Sequence, residues 1–272
     1  MDWMERTRLL LGDNGVRRIN RAKIVVFGLG AVGSYAVEAP ARAGVGAFRL
    51  VDFDEIRPSN LNRQIYALHS TIGRKKVDVA KERILDIHPR AAVEAEPVFA
   101  HADTLGRLLS GDPDLVIDAV DSLNPKTEII AASAALGLPI FSAMGAATRL
   151  DASRVKFGPL FEASGCPLNR HLKKRLRRHG VEGDLWCVYS DEAKHPEAVA
   201  AAGADAGLEP GDEYERGRKR DTLGSLSSLT GIFGLRLAHE AILRLAGFHT
   251  GRGTDARPPW STGLRLGDTT EL

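Results

Sequence analysis

Cysteine is nearly absent, with only Cys166 and Cys187 among 272 residues. Two thiols cannot furnish a four-thiolate zinc site, and a single pair makes no disulfide framework, which points to a reducing compartment. Aromatic residues are also scarce, at 6%. No run of about 18 uncharged apolar residues occurs, so no membrane-spanning helix is expected. The start, Met1-Asp2-Trp3-Met4-Glu5-Arg6, has neither the basic flank nor the apolar stretch of a secretory signal. A cytoplasmic location without membrane contact is therefore expected. Nor does one sign of charge dominate: 37 Lys and Arg against 35 Asp and Glu leave +2, so contact with a polyanion would need local clusters. What is present is a globular composition, 43% hydrophobic and 26% charged, able to bury a sizeable core. At about 150 residues per domain, the length suits one large α/β domain or one with a substantial appendage.

The residues from Lys23 to Gly33 read KIVVFGLGAVG, a β-branched run that breaks into glycines as a strand, a tight turn and a helix start do. Helical periodicity is expected over Ser34 to Ala43, and Ala47 to Asp54 reads as a second strand ending in acids, roughly 20 residues beyond the glycines. Together these make a βαβ unit. A helix from Lys75 to Ile87, a strand from Val93 to Phe99, a buried strand from Leu115 to Asp121, a helix from Lys126 to Leu136 and a strand from Pro139 to Ala143 continue the alternation. The expected fold is a Rossmann-like, doubly wound, mainly parallel sheet with helices on both faces, plus a C-terminal extension. After Leu150 the alternation fades. The extension carries a basic segment at Arg170 to Arg178, a loop-like stretch from His195 to Asp221 and a helix from Leu226 to Leu245. On that last helix Arg236, His239, Glu240 and Arg244 are expected opposite the apolar face. The tail from Gly251 reads as irregular.

Gly28-Leu29-Gly30-Ala31-Val32-Gly33 would let backbone amides and a helix N-terminus approach phosphate oxygens, where bulky side chains would block the turn. The same glycines also permit close helix-to-strand packing. Asp52, at the end of the second strand, is placed to accept from ribose hydroxyls, which suits a nicotinamide dinucleotide and an adenine mononucleotide equally. Three further stretches make the choice: Arg57-Pro58-Ser59-Asn60-Leu61-Asn62-Arg63-Gln64, then Gly73-Arg74-Lys75-Lys76-Val77, then Asp118-Ala119-Val120-Asp121. Hydride transfer has no need of such cations and acids, whereas adenylyl transfer needs cations on a triphosphate and a carboxylate on its Mg²⁺. These residues point to ATP chemistry.

At GLGAVG, VDFDEI (Val51 to Ile56), SNLNRQ (Ser59 to Gln64), GRKKV (Gly73 to Val77) and DAVDS (Asp118 to Ser122), the chain resembles the ubiquitin-activating-type, ThiF-like adenylating enzymes. The resemblance is close over roughly residues 5 to 150. It implies an ATP-binding adenylation core over 1–150, with 151–272 as the C-terminal part of the same domain. Position by position, it implies that Asp52 binds the ribose, that Asn60, Arg63 and Lys76 contact the phosphates, and that Asp121 holds Mg²⁺. Gly28, Gly30 and Gly33 would cradle ATP. Arg6 matches an arginine that reaches the ATP of the opposite protomer, which implies a homodimer. Arg8 reads as a solvated charge. Two departures stand out: Ser122, where many relatives have Asn, and Ala31 in place of a frequent glycine.

Within this superfamily, carrier-protein adenylyltransferases commonly hold zinc with two CxxC pairs, which this chain lacks. The stretch Pro167-Leu168 leading into Leu172-Lys173-Lys174-Arg175-Leu176-Arg177-Arg178, then Trp186-Cys187-Val188-Tyr189-Ser190-Asp191-Glu192, is instead similar to the tRNA threonylcarbamoyladenosine dehydratase branch. That resemblance implies ATP-dependent cyclisation of the modified adenosine through an acyl-adenylate of its threonine carboxylate. The alternative reading activates the C-terminal carboxylate of a small sulfur-carrier protein at the same site. A nucleotide-sensing module without turnover and a nicotinamide dehydrogenase are weaker readings.

On a helix, Arg170, Lys173, Lys174, Arg177 and Arg178 recur at spacings of three and four, opposite Leu168, Leu172 and Leu176. A solvated face accounts for such a stripe, and so does contact with tRNA phosphates, which is the preferred reading. Arg216, Arg218, Lys219 and Arg220 would extend it. Cys187 reads either as a small packed residue or as a thiol that accepts sulfur from a cysteine desulfurase system or lines the site. Cys166 receives no role, and His69, His88 and His101 read as surface or structural residues.

Overall fold

The computed structural model describes residues 2–183, 185–193, 195–198 and 223–248. Beyond residue 198, the loop expected up to Asp221 lies outside the described residues, as do Arg216, Arg218, Lys219, Arg220 and the tail from Gly251. The chain opens with α1 (Glu5–Arg21), kinked at Gly12, and then alternates. β1 (Lys23–Phe27), α2 (Gly33–Ala43), β2 (Ala47–Val51), α3 (Lys76–Ile87), β3 (Ala92–Glu96), α4 (Ala102–Leu108), β4 (Leu115–Asp118), α5 (Leu123–Ala135) and β5 (Ile140–Ala143) come in order. β6 (Val155–Pro159), α6 (Pro167–Arg178), β7 (Trp186–Ser190) and α7 (Ser227–Ala246) complete the described elements.

Successive side chains of a strand point to opposite faces, so an unbroken apolar strand needs cover on both. β1 shows this directly. Ile24 and Val26 join one core with Ala36, Val37 and Ala41 of α2 and Phe233 and Leu237 of α7. Val25 and Phe27 join the other, with Leu105 of α4, Ile129 of α5 and Leu172 of α6. The strand order is β3-β2-β1-β4-β5-β7-β6, parallel throughout except for β6 against β7. This is the doubly wound, mainly parallel sheet expected from the sequence. No helix among the described residues is long and apolar enough to cross a membrane.

Chain direction across the sheet reverses between β1 and β4, and a crevice opens at their carboxyl ends. The register puts Val51, Phe27, Asp118, Ser142 and Cys187 in one row across β2, β1, β4, β5 and β7. The segments that leave Phe27 and Asp118 therefore emerge side by side.

Four expectations need correction. The strand from Leu115 ends at Asp118, because the Asp118 carboxylate takes the Val120 N–H at 3.2 Å and turns the chain away. The second strand ends at Val51 and the strand near Val93 at Glu96, each three residues short of the expected bound. On α7, Glu240 is buried and pairs with Arg236 at 2.6 Å, while Leu235 is exposed. That helix packs against both α1 and α2, so covered surface extends beyond a single apolar face.

Candidate active site

After β1 the chain turns at Gly28, whose φ of +85° lies in the left-handed region. A Cβ there would sit 2.9 Å from the Ala119 carbonyl carbon, and one on Gly33 only 1.7 Å from the Gly28 carbonyl oxygen. Both glycines are thus required by the turn itself. Gly30 differs, since a Cβ there would meet only Gln64 Nε2 within 4 Å, at 3.8 Å. Internal packing therefore leaves open space beside Gly30, between the turn and the start of α2. That helix has no side-chain cap, and amides at such a start suit an anion.

Asp52 pins this turn to β2. Its Oδ2 accepts the Leu29 N–H at 2.6 Å and its Oδ1 the Asp54 N–H at 2.9 Å. Burial pushes its carboxyl above the usual value, with Lys76 opposing. Lys76 starts α3 and is almost wholly buried, its Nζ donating to Asp54 Oδ2 at 2.7 Å. Asp54 as the local partner of this lysine escaped the sequence reading, although VDFDEI contains it. Asn60 is buried in a short 3₁₀ turn, where its Oδ1 caps the Arg57 N–H at 3.1 Å. Arg63 lies just beyond, donating to the Ser59 carbonyl at 2.8 Å and Asn62 Oδ1 at 2.7 Å. Burial pulls its guanidinium below its ordinary value, and the negative Asp121 pushes the other way. The field of Asp121 thus reaches Arg63 across the crevice, from a loop 58 positions further along the chain.

Asp121 itself is exposed. Behind it lies a feature the sequence reading missed: Lys126 and Asp118, both 0% exposed in their side chains, form an ion pair at 2.5 Å beneath the turn. The signal was available, since a lysine among Pro125, Thr127, Ile129 and Ile130 is a charge on an apolar helix. Among the described residues no three His, Cys, Asp or Glu side chains cluster to hold a metal. Mg²⁺ needs no such cage, being commonly held by one or two carboxylates together with substrate phosphates. The single carboxylate of Asp121 beside the crevice fits that mode, and the cations and glycine turn fit a triphosphate.

The basic segment is helical, and Leu172 and Leu176 face the core as expected. Arg170, Lys174, Arg177 and Arg178 are exposed, and the Arg177 guanidinium lies 5.4 Å from the Phe161 ring centroid. Lys173 is a correction to the stripe: it is half-buried and donates to the Ala163 carbonyl at 2.6 Å. Arg175 bonds Asn124, three residues past Asp121, which ties this helix to the edge of the crevice.

Arg6 is exposed on the first turn of α1, and Leu9 and Leu10 further along are 82% and 80% exposed. Arg8 pairs with Asp2 and Asp13. His88 is buried against Trp3, their rings 5.3 Å apart, and burial lowers its pKa. Cys187 is 0% exposed, and burial pushes its thiol up to about 12. This placement favours packing over thiolate chemistry. Both cysteines are expected to resist iodoacetamide in the native chain at pH 8 and to react once it is denatured. Rapid native labelling of Cys187, read by mass spectrometry, would restore the accessible-thiol reading.

A family model described as ThiF family matches residues 4–259. The chain belongs to the ThiF family. Two relatives named tRNA threonylcarbamoyladenosine dehydratase are similar to it. The Bacillus subtilis protein is 35% identical over 188 residues, covering 69% of this chain and 74% of its own. The Escherichia coli protein is 36% identical over 201 residues, covering 70% and 75%. A crystal structure of the E. coli tRNA N6-threonylcarbamoyladenosine dehydratase in complex with ATP matches this ThiF-family chain with a TM-score of 0.77. Identity there is 30%, over 90% of this chain and 93% of that one. The molybdopterin-synthase adenylyltransferase of Salmonella typhimurium is a more distant relative, 31% identical over 137 residues, or 50% of this chain.

Proposed function

We propose that this ThiF-family protein dehydrates threonylcarbamoyladenosine in tRNA, using ATP as co-substrate. The observation that carries the reading is the convergence of the glycine turn, Lys76, Arg63 and Asp121 at one crevice, in a chain that matches an ATP-bound dehydratase over most of its length. A carboxylate oxygen of the threonine moiety attacks the α-phosphorus, the bond to the bridging oxygen of the β-phosphate breaks, and pyrophosphate leaves. An atom of the same substituent then attacks the activated carbonyl carbon, releasing AMP with the former carboxylate oxygen and a proton to solvent. The balance is a ring closed with net loss of water, and no protein nucleophile is required.

Each side chain has a physical task. Asp52 holds the turn and offers its remaining lone pairs to the ribose. Asn60, Arg63 and Lys76 balance charge on the triphosphate, and Arg63, held by the Ser59 carbonyl and the Asn62 side chain, meets charge that develops at the α-phosphate. Asp121 would hold Mg²⁺, whose chemistry is to neutralise phosphate oxygens and orient the leaving group. Lys76 is already paired with Asp54, so phosphate competes with a carboxylate for the ammonium.

The functional unit proposed is a homodimer, with Arg6 reaching the partner's nucleotide. Neighbouring leucines in open water, as at Leu9 and Leu10, support a face covered by a second copy. The cytoplasm is the proposed location, in keeping with relatives that are named as tRNA-modifying enzymes. A cysteine desulfurase partner gains no support from the buried Cys187.

The deciding experiment is mass spectrometry of nucleosides from tRNA carrying threonylcarbamoyladenosine, incubated with the protein and Mg²⁺, with and without ATP. Loss of one water only with ATP is expected. An unchanged nucleoside in a preparation that binds ATP would move the activity to a carrier-protein carboxylate, which pyrophosphate exchange with a small sulfur carrier would reveal. For tRNA contact, replacing Arg170, Lys174, Arg177 and Arg178 by Gln is expected to weaken binding and reduce the salt slope by about 1 per lost phosphate contact. ATP affinity should stay the same. Lys173→Gln, whose ammonium is committed to Ala163, is expected to change the slope far less. An unaltered slope in the four-fold variant would assign those charges to the solvated face.

A further inference from the structure

Beneath the crevice, three side chains with no assigned task meet in the dry interior. The Lys126 Nζ donates to Asp118 Oδ2 at 2.5 Å, to Ser142 Oγ at 3.2 Å and to the Ala143 carbonyl at 3.0 Å. The Ser142 hydroxyl donates to the same Asp118 Oδ2 at 2.6 Å. The ammonium's three protons thus have three acceptors, and the network joins α5 to the carboxyl ends of β4 and β5. The second carboxylate oxygen reaches upward, taking the Val120 N–H at 3.2 Å. Val120 directly precedes Asp121. The preceding Ala119 N–H donates to the Phe27 carbonyl at 2.8 Å, so the turn is fastened from two sides.

Stability alone does not call for this arrangement. A buried ion pair is often no more stabilising than two apolar residues of the same volume. What an apolar pair cannot supply is an acceptor for the Val120 amide. We propose that Lys126 is a positioning residue, which acts through Asp118 and the Val120 amide to fix where the Asp121 carboxylate stands. The inference rests on the reading of Asp121 as the Mg²⁺ ligand. Supporting groups behind a metal ligand commonly change metal affinity by about 10- to 100-fold when removed.

The test is calorimetric titration of ATP into the full chain, once with EDTA and once with Mg²⁺; the ratio of the two affinities is the gain due to the cation. Lys126→Met leaves Asp118 buried and unpaired and risks the fold, so Ser142→Ala, which removes one neutral hydroxyl from the network, is measured alongside. Leu176→Ala, a core truncation that removes none of the network's hydrogen bonds, controls for lost stability. Both network variants are expected to bind ATP normally in EDTA and to lose about tenfold of the Mg²⁺-dependent gain. Leu176→Ala should keep it. An undiminished gain in Ser142→Ala, or the same loss in Leu176→Ala, would overturn the inference while leaving the proposed reaction untouched. No ATP binding by the unsubstituted chain would instead remove the nucleotide reading, and this inference with it.

Discussion

Arg63→Ala and Asp121→Ala are each expected to slow ATP-dependent pyrophosphate release by about 10²-fold to 10³-fold, the usual cost of deleting one charge-stabilising group at a reacting centre. The melting temperature should hardly move. Arg63 leans on the Ser59 carbonyl and Asn62 Oδ1, yet the turn that carries it is closed independently, by the Asn60 cap on the Arg57 amide and by backbone bonds from Arg63 and Gln64 back to Asn60. Asp121 is exposed, so its removal opens no cavity. The two variants should differ in one respect. Asp121→Ala should shift the response to higher Mg²⁺ concentrations, because the substrate phosphates still hold the ion, whereas Arg63→Ala keeps the ordinary Mg²⁺ response at a lower rate. Pyrophosphate release measured across a Mg²⁺ series, with thermal melts in parallel, reads both. Near-normal turnover in either variant would remove that residue's role.

Gly33→Ala and Gly30→Ala, two substitutions three positions apart, are both expected to lose ATP binding, only the first with a loss of stability. A Cβ on Gly33 falls 1.7 Å from the Gly28 carbonyl oxygen and 3.2 Å from the Ala119 Cβ, so the turn must shift. Overpacking of this kind typically costs about 1–3 kcal/mol, and in a chain of this size each kcal/mol lowers the melting temperature by roughly 2–4 °C. Gly33→Ala should therefore lose both stability and ATP binding. Gly30→Ala meets nothing closer than Gln64 Nε2 and should melt like the unsubstituted chain. Its methyl group would intrude on the space proposed for phosphate, so ATP affinity should fall sharply. Thermal melts with and without ATP compare the two directly. Full ATP affinity in Gly30→Ala would show that this turn is not the phosphate cradle.

Much of this architecture is legible in the residues. A β-branched run broken by glycines is read correctly because its cause is local: Gly28 and Gly33 admit a turn that any side chain would obstruct. α3 and the first five residues of the second strand are similarly read from periodicity, which reports burial on one face or two. Where expectation and structure part, the cause is a contact between distant segments. Lys173 looks like part of a surface stripe because its spacing suits one, but the Ala163 carbonyl draws it inward. Glu240 looks solvated on a helical wheel, but α7 packs against α1 as well as α2, and Glu240 is buried while its partner Arg236 stays part-exposed.

The sequence by itself determined the order of elements, the glycine turn and the inventory of charges, because these depend on backbone sterics and on neighbours within a few positions. It also carried the family, through motifs whose residues are contiguous. Only the tertiary structure decided that Arg63 and Asp121 influence each other across the crevice, that Lys76 starts out paired with Asp54, and that Lys126 lies beneath the Asp121 turn. The last of these depends on the register of β1, β4 and β5, which brings Phe27, Asp118 and Ser142 into one row. Register is set by how two apolar cores fill space on either side of a sheet, and no short stretch of chain contains that information.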